Sequence, residues 1–337
     1  MANQHTGESI TSKTAREYRI KFGSKMPTLT LARVLYKDNK EVYSSVEHAR
    51  TSLRAIEGKS GRHNRVLLDK TLVIEKERPK NPYNLPDSEE QEWKPYKIPD
   101  KCKRVLLLSD IHIPYHSIES VTLALDYGKE KKIDTIILNG DTLDFYQLSR
   151  FEKDPRKRSL AHELDACRSF LKTLRDLFPG ATIIYKCGNH DVRLQKYLMI
   201  KAPELLGVQE FELPHLLKFK EFGVIWVDDK VVMKLKRLNI IHGHEFNAGF
   251  IAPVNIARGL FLKANACAIQ GHNHATSENT VTTLNGDMIT TWSTGCLSEL
   301  HPAYAPLNRW NHGFAYIEVD GGMYEVFNKR IKNGKVF

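Results

Sequence analysis

Five times along this chain an apolar run ends in a cluster of Asp, Asn or His residues. In order, the clusters are Ser109-Asp110-Ile111-His112, Gly140-Asp141-Thr142-Leu143-Asp144, Gly188-Asn189-His190-Asp191, His242-Gly243-His244 and Gly271-His272-Asn273-His274. Short apolar runs bounded by turn residues read as strands buried on both faces. A lone Asp or His after a strand is usually a turn residue. Five clusters in succession instead point to strand tips that meet, because open α/β sheets bind ligands beyond the carboxyl ends of their strands. Oxygen and imidazole donors in this number suit two hard or borderline divalent cations.

The rest of residues 103–337 supports a layered fold. Arg104–Leu108, Thr135–Leu138 and Thr182–Tyr185 read as strands. They alternate with helical patterns over Ser117–Lys132 and Leu160–Phe178, and that alternation predicts an α/β core. From Val224 onward, strands follow one another with fewer helices between them. Asn285-Gly286-Asp287 marks a hairpin turn. The simplest architecture is a two-sheet sandwich with helices outside.

Residues 1–76 have a different character. Ala15, Tyr18 and Phe22 share one helical face, Leu29 to Tyr36 predicts a second helix, and a third is expected to begin near Ser44 or Ser45, where Ser44 and Glu47 are spaced like a capping box, and to run through Val46, Ala49, Leu53 and Ile56. The third helix and its sequel carry Arg50, Arg54, Lys59, Arg62 and Arg65. Three short helices with a basic last one resemble a helix-turn-helix, for which these five are candidate nucleic-acid contacts. A protein-contacting or structural appendage is the alternative. Residues 77–102, with five prolines and a run of acidic residues, read as an extended linker.

Charge sharpens this division. Of the net +10, residues 1–80 carry +8, from 17 Lys/Arg against 9 Asp/Glu. A localised excess of this kind is an electrostatic footprint for phosphate backbones. No apolar stretch is long enough to span a bilayer and the N-terminus lacks a secretory core, so a cytoplasmic, membrane-independent protein is expected. The five cysteines are odd in number and form no C-x-x-C pair, which argues against a disulfide framework or thiolate zinc site.

Taken together, D-x-H (Asp110, His112), G-D-x-x-D (Asp141, Asp144), G-N-H-D (Asn189, His190, Asp191), H-G (His242) and G-H-x-H (His272, His274) resemble the calcineurin-like metallophosphoesterase family over roughly residues 103–320. The resemblance implies a four-layer α/β/β/α sandwich. It implies one metal on Asp110, His112 and His274, a second on Asn189, His242 and His272, and Asp141 bridging them. A hydroxide held between the two would attack phosphorus in line. His190 would protonate the leaving oxygen or stabilise phosphoryl charge. Mn²⁺ is the favoured ion, with Zn²⁺, Fe and Ni²⁺ open.

Asp144 and Asp191 read as carboxylates that orient imidazoles, with a turn or cap role equally open for Asp191. His244 reads either as a phosphate contact or as a donor behind the ligands. Arg193 is a candidate phosphate clamp or else a surface helix residue. The function expected is a metal-dependent phosphodiesterase or nuclease acting on nucleic acid. The alternatives are a protein Ser/Thr phosphatase or nucleotide phosphomonoesterase, and, in another class, a DNA-binding scaffold with residual activity. A small helical module joined to such a domain is also similar to proteins carried by phages and mobile elements.

Overall fold

The computed structural model describes residues 9–23, 25–57, 81–86, 90, 93–150, 159–246, 254–302 and 304–337. The chain divides into two compact units, Met1–Gln91 and Glu92–Phe337.

In the first unit, α1 (Ile10–Phe22), α2 (Thr28–Asp38) and α3 (Val46–Ile56) close around Ala15, Leu31, Leu35, Tyr43, Ala49 and Leu53. Arg19 is buried with Glu57 as its ion-pair partner and donates to the Met26 carbonyl at 2.7 Å, so its charge is compensated inside the small core. The cap of α3 is Ser45 rather than Ser44. Ser45 Oγ accepts from the His48 amide at 3.1 Å, while His48 Nδ1 accepts from the Ser44 amide at 3.3 Å. Residues 39–45 join α2 to α3, a longer connection than the three or four residues of a helix-turn-helix.

The second unit contains a six-stranded and a seven-stranded sheet. The smaller has the order β1 (Tyr96–Lys97), β6 (Met233–Leu235), β7 (Leu238–Ile240), β8 (Ala268–Gln270), β10 (Met288–Ser293), β9 (Ser277–Thr282). The larger runs β13 (Lys335–Val336), β12 (Met323–Lys332), β11 (Gly313–Asp320), β2 (Arg104–Leu108), β3 (Thr135–Asn139), β4 (Thr182–Lys186), β5 (Val224–Val227), with β2 to β5 parallel. Tyr96 pairs with Met233, and Ile98 and Cys102 are buried. The stretch read as the end of a linker is therefore an edge strand of this sheet. Trp93 stays exposed.

The two-residue period of the strands explains the layers. Leu106, Leu108, Ile136, Leu138, Ile183, Tyr185, Phe314 and Tyr316 face α4 (Ile118–Glu130) and α5 (Leu160–Leu177). Their neighbours Val105, Leu107, Ile137, Ile184, Ala315 and Ile317 face the second sheet, against Met233, Leu238, Ile240 and Ile269. On the far side, α9 (Ile256–Ala264) covers β8 to β10, and its Leu260 packs with Ile241 and Ala268. The result is a four-layer α/β/β/α sandwich. Between β4 and β5 lie α6 (Arg193–Lys201) and two four-residue turns of helix, α7 (Leu213–Leu216) and α8 (Phe219–Phe222).

The five cysteines are unpaired, and all but Cys267 are buried. Among the described residues no helix is long and apolar enough to cross a membrane.

Candidate metal centre

All five clusters sit on loops that leave the carboxyl ends of β2, β3, β4, β7 and β8, so both sheets contribute to one site. Asp110, His112, Asp141, His272 and His274 all have positive φ, between 50° and 65°. Left-handed backbone at five non-glycine residues carries strain that persists only when the surroundings enforce it, and such strain gathers at functional sites. The motif glycines make room for this crowding. A Cβ on Gly188 would overlap the Asp141 backbone and carboxylate, and one on Gly271 would overlap Ser109 and Asp110.

Each of the two central carboxylates is half anchored. Asp110 Oδ2 accepts the His272 amide at 2.8 Å, and Asp141 Oδ1 accepts the His190 amide at 2.7 Å. The other oxygens face imidazole nitrogens. Asp110 Oδ1 lies 3.2 Å from His274 Nε2, and Asp141 Oδ2 lies 3.2 Å from His242 Nε2. Across the site, His112 Nε2 is 3.2 Å from His274 Nε2, and Asn189 Oδ1 is 3.2 Å from His242 Nε2. Asp141 Oδ2 is also 4.0 Å from His112 Nε2, so this one carboxylate oxygen reaches both halves of the cluster. Asp110, His112 and His274 form one group of donors close enough for a cation, and Asp141, His242 and His272 form another.

The imidazoles are held with Nε2 inward. His242 Nδ1 donates to the Asn139 carbonyl at 2.8 Å, which leaves its Nε2 lone pair facing the cluster. Asp144 Oδ1 lies 3.1 Å from His112 Nδ1 and 3.2 Å from His190 Nδ1, and so fixes both rings with one carboxylate. Asp110 Oδ1 is buried without a hydrogen bond. An inward-turned set of lone pairs around a buried, unsatisfied carboxylate oxygen fits divalent cations and little else.

The electrostatics follow from this packing. Burial pushes the Asp110 carboxyl up, but His274 and His242 outweigh it and bring the pKa down to about 2. Burial likewise opposes charge on Asp141, and His242 and His190 hold it well below the carboxylate range. For Asp144, burial is outweighed by the hydrogen bonds of His112 and His190, again lowering the pKa. Burial works against a charged His242, yet Asp141 and Asp110 raise it to about 10. A cation at Nε2 competes with that proton, so metal uptake at neutral pH releases protons.

Asp144→Asn keeps an acceptor oxygen but removes the negative charge that the two imidazoles share. The expected result is metal affinity lower by about 10–100-fold, measured by titration of the purified protein with Mn²⁺. Unchanged affinity would show that packing alone sets the ring orientations.

The remaining expected residues divide. Asp191 orients no imidazole. Its carboxylate accepts the amides of Gly188 (2.8 Å), Asp141 (2.9 Å) and Leu143 (3.2 Å) and the Tyr185 hydroxyl (2.7 Å). It is a turn clamp that ties the β3 loop to the β4 loop. His244 pairs with Asp229 and lies beside His242, with ring centres 5.3 Å apart. Arg193 is half-buried. Its Nη1 donates to the Asp144 carbonyl at 2.7 Å, and its Nη2 lies 3.0 Å from His190 Nε2. Arg50 and Arg54 lie on α3 in the other unit, and Arg50 pairs with Glu47 at 3.2 Å. Lys59, Arg62 and Arg65 fall outside the described residues.

Two residues carry a role that the sequence reading passed over. Lys186 is fully buried at the end of β4, with Nζ 3.1 Å from the buried Glu245 carboxylate and 3.2 Å from the Cys187 carbonyl. Glu245 in turn accepts the amides of His242 (2.9 Å) and Gly243 (2.6 Å). The pair thus fixes the His242 loop against the Asn189 loop. A signal was available: Lys186 shares the inter-sheet face with Ile184, two residues before it, where a lysine needs a partner.

Burial alone would raise Glu245, but Lys186 and the loop amides bring it down to about 2 from an ordinary 4.5. Its contribution to stability is therefore complete above about pH 4.5 and is lost as pH falls toward 2. Glu245→Gln strands the ammonium and is expected to cost about 3–5 kcal/mol of unfolding free energy, read by denaturant titration at pH 7. A cost below about 1 kcal/mol would show the pair to be dispensable.

A curated relative, the Gene 54 protein of Mycobacterium phage L5, is 26% identical over 231 residues, covering 65% of this chain and 90% of that protein. Vacuolar Protein Sorting 29 from Cryptosporidium parvum aligns with a TM-score of 0.38 at 15% identity, over 70% of this chain and 95% of that one. A dimetal phosphatase from Danio rerio aligns with a TM-score of 0.31 at 12% identity, over 65% of this chain and 93% of that one. The family model for calcineurin-like phosphoesterases matches residues 103–285, more than half of the chain. That stretch contains all five clusters, and the chain belongs to the calcineurin-like phosphoesterase family.

Proposed function

We propose that the protein is a two-metal phosphodiesterase acting on nucleic acid. The observation that carries the metal-dependent part is the Asp141 carboxylate oxygen placed between two donor groups. In this reading Asp110, His112 and His274 hold one cation, Asn189, His242 and His272 hold the other, and Asp141 is shared. Bound divalent ions, with Mn²⁺ favoured for this oxygen and imidazole set, supply the positive charge that activates water and neutralises phosphoryl oxygens.

The chain's own residues handle the leaving group. His190 stands beside the donor cluster, its Nε2 3.9 Å from Asp141 Oδ2 and its Nδ1 proton held by Asp144. Burial lowers its basicity, but Asp141 and Asp144 outweigh burial and Arg193 and raise the pKa above the ordinary 6.5. The guanidinium contact at Nε2 requires that nitrogen to be unprotonated. A substrate phosphate would compete for Arg193, and Nε2, once freed, would take a proton from solvent and pass it to the departing oxygen.

Nucleic acid is favoured as substrate by the +8 balance of residues 1–80, which raises the local concentration of a phosphate backbone without reading its sequence. The test is Mn²⁺-dependent turnover of a model phosphodiester and a model phosphomonoester side by side, followed by single- and double-stranded DNA and RNA. Diester and nucleic-acid cleavage supports the reading. Monoester turnover alone moves the protein to the phosphatases, and no turnover with bound metal favours a binding scaffold.

A further inference from the structure

Trp310 stands between two cavities. On one side its ring meets His274 edge-on, with centres 4.2 Å apart. There a small cavity of about 90 Å³ reaches His112 and Asp144, and the exposed Tyr304 ring stands 6.3 Å from Trp310. On the other side a cavity of about 740 Å³ is lined by Asn311, Arg330, Lys332, Asn333 and Phe337. This is within the size range of small-ligand pockets. Arg330 and Lys332 are two apart on β12, so they share a face, while Ile331 between them is buried. Both are exposed, and among the described residues no Asp or Glu side chain lines this cavity.

We propose that the Trp310 cleft is a binding site for the stretch of single strand that flanks the scissile phosphate. The inference rests on the reading of the substrate as nucleic acid, and it adds where the strand runs. Trp310 presents a ring face for a base next to the metal centre, and Arg330 and Lys332 meet the following backbone phosphates. Aromatic side chains interleaved with cations are what sequence-tolerant single-strand sites use, because every base has a stacking face and every nucleotide a charge. The cavity lies on the β11–β12 side of the seven-stranded sheet.

The experiment uses the full chain with a short unstructured DNA strand and a small chromogenic phosphodiester. Arg330→Gln/Lys332→Gln is expected to lower the ratio of kcat/KM for the strand over that for the small diester about tenfold. It is also expected to reduce the salt slope of strand binding by about 1.4, since a single strand contributes about 0.7 per phosphate contact. Without added metal, the strand is expected to quench tryptophan emission, and the quench disappears in Trp310→Phe because the other three tryptophans lie elsewhere. Trp310→Ala weakens strand binding about tenfold, and Trp310→Phe restores most of it. An unchanged ratio with an undiminished quench overturns the site even if strands are cleaved. If wild-type protein cleaves no strand, the substrate reading fails and the quench decides the binding site by itself.

Discussion

Asp141→Asn protein is expected to lose Mn²⁺-dependent phosphodiester hydrolysis by about 10³-fold or more while remaining folded. The argument is geometric. Asp141 Oδ1 is committed to the His190 amide, and Oδ2 alone lies within 4.0 Å of both His242 and His112 nitrogens. The asparagine preserves volume. It removes the negative charge that two cations would share, and a neutral amide oxygen cannot offset their repulsion. The fold is expected to survive, because the turn is held independently by the Asp191 carboxylate on the amides of Asp141, Leu143 and Gly188. Thermal melting in parallel with the kinetics separates the two effects. Retention of more than a tenth of the activity would mean that one cation suffices or that the bridge lies elsewhere.

The second large effect is expected at His190, and it depends on the leaving group. His190→Asn is expected to lower kcat by about 10²–10⁴-fold for an alkyl or nucleoside leaving oxygen, which needs a proton as it departs. A nitrophenolate leaving group needs none, so the loss there is expected to be within about tenfold. The same role fixes the pH dependence. In the metal-free protein, against the effect of burial, Asp141 and Asp144 raise the His190 pKa above the ordinary imidazole value, and a proton-donating His190 is expected to give turnover of poor leaving groups an alkaline limb. The alkaline limb is expected to vanish in His190→Asn. Equal losses for both leaving groups would point to phosphoryl charge stabilisation instead of proton donation.

Most of what places the centre was legible in the sequence because it is local. A strand buried on both faces carries an unbroken apolar run, as at Val105, Leu106, Leu107 and Leu108 or at Ile136, Ile137 and Leu138, and the residue at its tip is then fixed in space. The helices α4 and α5 show the 3.6-residue spacing of their buried faces. What the sequence hid is set by tertiary contact. β12, MYEVFNKRIK, has mostly half-covered residues and no sharp alternation, so it reads as a tail until β11 pairs with it. β9 lies at Ser277–Thr282, where Thr282 pairs with Met288 and leaves Leu284 in the exposed turn. β1 is two residues long and is stabilised by Met233 and Lys234 alone.

At the site, residue types and order were readable, but partners were not. That Asp144 serves two imidazoles, that Asp191 holds backbone amides and that His244 meets Asp229 depend on loops brought together from three or more strands. The buried Lys186–Glu245 pair joins residues 59 positions apart, beyond any local pattern.

The most direct measurement is phosphodiester turnover recorded as metal-free protein is titrated with Mn²⁺. The account predicts little activity at one equivalent, a rise as the second site fills and a plateau at two ions per chain. A plateau at one ion, or turnover in protein stripped of metal, would contradict the shared-carboxylate centre.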